Sequence, residues 1–117
     1  LESHSGIWDL VGTILSHNHR VITLDQRGHG RSSKPNHGYD FKSVTKDVYQ
    51  FINKIGLNNT IIVGLSWGGN VALNFATTYP NNTGGLIMVD GGFIEPSSHP
   101  GWDWEKAKTE LTPPDWK

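Results

Sequence analysis

The stretch TIIVGLSWGGNVALNFATTYP, residues 60 to 80, limits what this chain can fold into more than any other. A short β-branched run meets an alanine-rich helical stretch at a single serine, Ser66, with glycines at 64, 68 and 69 around it. Strand and helix therefore hand over in a tight turn, and Pro80 halts the helix. In a parallel sheet such a turn lies at the carboxyl edge of the strands, where ligands bind. A serine at the apex of that elbow projects its hydroxyl outward and adopts an unfavourable backbone conformation, costing about 1–3 kcal/mol. Gly64 and Gly68 are expected to remove the collision between strand end and helix start.

The rest of the chain supplies the sheet this elbow needs. Val21–Leu24, Ile61–Val63 and Leu86–Val89 are short apolar runs, nearly continuous rather than alternating. Strands buried on both faces of a parallel sheet read this way. Between the first two runs, Phe41, Val44, Val48, Ile52 and Ile55 recur at helical spacing, stopped by Gly56. Ile7, Leu10, Val11, Ile14 and Leu15 make another helical stripe. Helix and strand alternate throughout, which predicts an α/β fold with a doubly wound, mostly parallel sheet.

Residues 1–92 are expected to form this core, and residues 93–117 the start of a lid. Four of the six prolines follow Gly91, as do Trp102, Trp104 and Trp116, three of the five tryptophans. We expect these tryptophans to pack the lid rather than line a pocket.

Composition narrows the partners. Ten basic residues against eleven acidic ones, with no basic run to follow a phosphate backbone, argue against nucleic acid. No apolar stretch reaches the length of a membrane span. Cysteine is absent, which excludes disulfides and thiolate metal sites and fits a cytoplasmic setting. The sequons at Asn58 and Asn81 read as loop polarity. No cofactor is implied. The pair His17 and His19 lacks carboxylate company, so no metal is expected either.

The blocks VITLDQRGHGRSSKP (21–35), IIVGLSWGGNVALNFA (61–76) and GLIMVDGG (85–92) resemble the α/β-hydrolase superfamily, in its lid-bearing branch of esterases, C–C hydrolases, haloperoxidases and dehalogenases. The resemblance runs over nearly all of residues 5–95. It implies a hydrolase of small esters or related acyl compounds. Ser66 matches the nucleophile, and Trp67 the residue whose backbone N–H completes the oxyanion hole. Dehalogenases and epoxide hydrolases of this superfamily carry Asp at the elbow, so Ser66 disfavours both. A haloperoxidase-type enzyme and a non-catalytic small-molecule receptor on the same scaffold remain alternatives.

A serine nucleophile needs a base, itself held by a carboxylate. The family order is Ser, then acid, then His. His4, His17, His19, His29 and His37 all precede Ser66, and His29 belongs to a loop the family uses structurally. His99 follows Ser66, but in a Pro-rich stretch with no strand to hold it. The base is expected beyond Lys117, and so is the acid, with Asp90 a minor candidate and Asp25 a loop organiser. The family's His-Gly loop, which supplies the second oxyanion donor, is expected upstream of Leu1. The chain is therefore expected to be an internal piece of a larger enzyme, inert by itself.

Overall fold

The computed structural model describes residues 3–91 and 103. The expected lid, its three tryptophans and His99 lie outside the described residues. In chain order, a 3-10 turn at Ser5–Trp8 leads into α1 (Asp9–Leu15), followed by α2 (Phe41–Lys54), β1 (Thr60–Leu65), α3 (Trp67–Thr78) and β2 (Thr83–Val89). A second 3-10 turn, Pro80–Asn82, precedes β2. β1 and β2 pair in parallel, with Val63 opposite Ile87 and Leu65 opposite Val89. β1–α3–β2 is thus a crossover unit, and the α/β class with a parallel sheet holds.

α2 forms where the apolar stripe predicts it. Asp40 caps its start: the carboxylate accepts from Ser43 N–H at 2.9 Å and from the Ser43 hydroxyl at 2.7 Å. Those two bonds, the hydroxyl's first, hold the Asp40 carboxyl below its ordinary range. At the other end Gly56 takes φ +69°, which a side chain would resist. Leu57 N–H then reaches Ile52 O and Gly56 N–H reaches Asn53 O, satisfying carbonyls the helix leaves open.

The core lies between α2, α3 and the inner face of the sheet. Val44, Ile52, Val71, Ala72 and Phe75 are buried, Phe75 completely. Thr45 is buried as well, and its hydroxyl donates to Asn74 Oδ1 at 2.8 Å, tying α2 to α3. Tyr79 closes this layer, with its ring stacked on Tyr49 at 4.0 Å and tilted against Phe75 at 5.3 Å.

Two features differ from the sequence expectation. Val21–Leu24 joins no ladder, so the sheet has two strands among the described residues. A β-branched run becomes a strand only beside a partner that takes its N–H and C=O groups, and no described segment pairs with residues 21–24 to do so. Second, the described helices cover one sheet face only. On the other, Ile61, Val63, Leu65, Ile87 and Val89 stay exposed, Ile61 by 55%. The apolar stripe of α1 is open too, with Leu10 76% exposed.

Candidate active site

The sequence places Ser66 between β1 and α3, and the backbone there takes φ 52°, ψ −120°. This lies in the left-handed half of conformational space, which L-residues enter only when the surroundings hold them there. Two hydrogen bonds do so. Ser66 N–H donates to Val89 O at 2.9 Å, carrying the β1–β2 pairing one residue past the strand. Ser66 O accepts from Gly69 N–H at 2.8 Å, closing the first turn of α3. Ser66 is exposed, and its hydroxyl does not cap the helix it precedes.

The glycines divide the steric work differently from the sequence expectation. A Cβ on Gly64 would lie 2.1 Å from Gly68 O and 2.6 Å from Gly69 N, so strand end and helix start do meet there. A Cβ on Gly68 would meet only Gln26 Nε2, at an ordinary 3.5 Å. The other tight approaches lie at Gly69, where a Cβ would come 3.2 Å from Gly91 Cα, and at Gly91, where one would come 2.3 Å from Ser66 O. Spacing along the chain cannot reveal Gly91, because it reaches the elbow through the fold.

Trp67 begins α3, so its N–H lies in the first turn, where backbone donors lack an intrahelical acceptor. Its ring stacks on Phe41, the first residue of α2, with centroids 4.5 Å apart and planes 23° from parallel. From the sequence alone, Phe41 is only part of a helical stripe. An aromatic at the start of one helix and another at the start of the next was the available signal.

Asp25 organises the loop after the 21–24 run, as expected. Its carboxylate accepts from Arg31 N–H at 3.0 Å and Ser5 N–H at 2.6 Å, and its carbonyl from the Ser32 hydroxyl at 2.6 Å. The N–H groups of Arg31 and Ser5 pull the carboxyl down from 3.8 to about 2. Arg27 forks onto Asp47 of α2, with Nη2–Oδ1 at 2.7 Å, and donates to Gly38 O at 2.9 Å. An open groove of about 420 Å³ between this loop and α2 is lined by Leu24, Arg27, Pro35, Val44 and Phe51, and does not reach Ser66.

Among the described histidines, three have ring contacts close to home. His4 Nδ1 accepts from Gly6 N–H, His17 Nδ1 lies 3.0 Å from Ile14 O, and His29 Nδ1 lies 3.0 Å from Arg27 O. None of these bonds involves Ser66. Asp90 follows β2 at φ 46°, beside the residue whose carbonyl holds Ser66. Among the described residues no three His, Cys, Asp or Glu side chains cluster as a metal ion requires, and no helix is long and apolar enough to cross a membrane.

Known proteins resemble this chain in sequence and fold. The chain is 38% identical over 69 residues to a putative non-heme chloroperoxidase of Synechocystis, which covers 59% of this chain and 25% of that protein. It is 32% identical over 77 residues to bifunctional epoxide hydrolase 2 of Sus scrofa, covering 64% of this chain and 14% of the relative. Among solved structures it resembles Est816, described as an N-acyl homoserine lactone degrading enzyme, with a TM-score of 0.82 and 27% identity over 93% of this chain and 41% of that one. The chain thus spans well under half the length of these relatives. The family model of the alpha/beta hydrolase fold matches residues 2–117, and with the elbow and crossover unit in place the chain belongs to that family.

Proposed function

We propose that the protein is a serine hydrolase acting on a small ester or related acyl compound, with Ser66 as nucleophile. One observation carries this reading. The exposed serine is held at φ 52° between a strand and a helix N-terminus, a strained conformation that neighbouring backbone maintains. Ser66 Oγ attacks the carbonyl carbon while its proton passes to a histidine base contributed from outside the described residues. The carbonyl π electrons move onto oxygen, and the Trp67 N–H together with the helix start stabilises that charge. Collapse expels the alcohol, which takes the proton from the histidine. Water, deprotonated by the same base, then releases the acid and restores Ser66.

The similarity to epoxide hydrolases supports the scaffold and not that chemistry. An epoxide opened by a serine hydroxyl gives an alkyl ether, which water does not cleave. A carboxylate nucleophile gives an ester, which water does cleave. The likeness to the Synechocystis protein favours a second reading, cofactor-free haloperoxidase-type chemistry on the same serine.

The test uses the full-length protein. A fluorophosphonate is expected to label Ser66 by displacement of fluoride, and Ser66→Ala to abolish labelling and ester turnover together. Turnover that survives Ser66→Ala would sink the serine reading. Labelling without ester turnover would point to a receptor. Halide-dependent peracid chemistry exceeding ester hydrolysis would favour the second reading.

A further inference from the structure

We propose that Gly91, after β2, is a positioning residue that fixes the peptide plane between Ser66 and Trp67, an inference that rests on Ser66 being the nucleophile. A Cβ built on Gly91 meets three backbone atoms of one residue: Ser66 O at 2.3 Å, Ser66 C at 3.0 Å and Ser66 Cα at 3.1 Å. The α-carbon of Gly91 therefore rests directly against the Ser66 carbonyl. That carbonyl belongs to the same rigid planar unit as the Trp67 N–H. Whatever displaces the oxygen turns the donor with it.

The remaining contacts make this plane a junction. Ser66 O accepts from Gly69 N–H at 2.8 Å, so shifting the oxygen also disturbs the first turn of α3. Gly69 also lies close to Gly91: a Cβ there would come 3.2 Å from Gly91 Cα and 3.4 Å from Gly91 C, and 3.3 Å from Gly64 O at the strand end. The path of the chain into Gly91 is fixed as well, since Val89 O accepts from Ser66 N–H and Asp90 turns at φ 46°. Gly91 thus sets the direction of the N–H that stabilises the oxyanion, without touching substrate. A donor aimed at the transition state affects kcat rather than substrate binding.

Gly84 supplies the control. It lies near the opposite end of β2, and a Cβ there would crowd Asn59 O at 2.5 Å, a comparable backbone clash far from the elbow. In the full-length protein, with active sites counted by fluorophosphonate taken to completion, Gly91→Ala is expected to lower kcat per site roughly 10- to 100-fold, with KM within about twofold. Gly69→Ala, a softer intrusion on the same contact that helix propensity favours, is expected to lower kcat by roughly threefold to tenfold. Gly84→Ala is expected to lower the melting temperature and leave kcat per site unchanged. Unchanged kcat in Gly91→Ala, or an equal loss in Gly84→Ala, would overturn the inference. Should Gly91→Ala not accumulate, unchanged kcat in Gly69→Ala would overturn it. Turnover surviving Ser66→Ala would sink the serine reading and this inference together, whereas labelled Ser66 beside an unimpaired Gly91→Ala sinks only the role of Gly91.

Discussion

Ser66 occupies a backbone conformation that glycine adopts freely and serine does not. Replacing it by glycine relieves about 1–3 kcal/mol of strain, partly offset by the freer unfolded chain. In urea melts of the full-length protein, Ser66→Gly is therefore expected to exceed Ser66→Ala in stability by about 1 kcal/mol, with turnover lost in both. A second residue-scale effect sits next door. The Phe41–Trp67 stack joins the starts of α2 and α3, and such pairs contribute about 0.5–1.5 kcal/mol beyond their buried area. Phe41→Ala is expected to cost about 1–2 kcal/mol by urea melt and to flatten the near-ultraviolet dichroism from Trp67. Phe41→Tyr is expected to restore both.

At the scale of elements, the loop after Val21–Leu24 has its own dependence on pH. The Asp25 carboxyl titrates near 2 in the folded protein, below its ordinary 3.8. Its stabilisation is fully present above about pH 4 and is lost as pH falls through about 2. Protection of the Ser5 and Arg31 amides, taken as the ratio of intrinsic to observed exchange at each pH, is expected to fall across that window and to lose the dependence in Asp25→Asn. Local pattern made much of the architecture legible beforehand. The α2 stripe, its Gly56 stop, β1, β2 and the serine between strand and helix all follow from spacings of a few residues. The 21–24 run did not become a strand, because composition announces a strand while pairing makes one. Arg27 on Asp47 and Gly91 on Ser66 were invisible for a related reason. They join positions 20 and 25 residues apart, and no short window contains both partners. Gly68 shows the converse: motif spacing marked it as a close approach, and the packing leaves it room.

For the whole molecule, the uncovered sheet face and the open α1 stripe set the expected behaviour of these 117 residues in isolation. Apolar surface of that extent withholds much of the burial a cooperative domain needs. The isolated chain is expected to melt without a sharp transition, to bind a hydrophobic dye and to leave esters unhydrolysed. A cooperative melt accompanied by turnover would refute this. The clamp around Ser66 has a further consequence for the complete protein. Three separate segments hold that serine: the end of β1, the first turn of α3 and the chain at 89–91. Slackening of any one lets the backbone relax into an ordinary conformation while the helices beyond that first turn remain intact. During gradual heating, catalysis is therefore expected to fade some degrees before the far-ultraviolet signal changes. On the proposed role of Ser66, the protein will still look native to a spectrometer when its serine has already ceased to react.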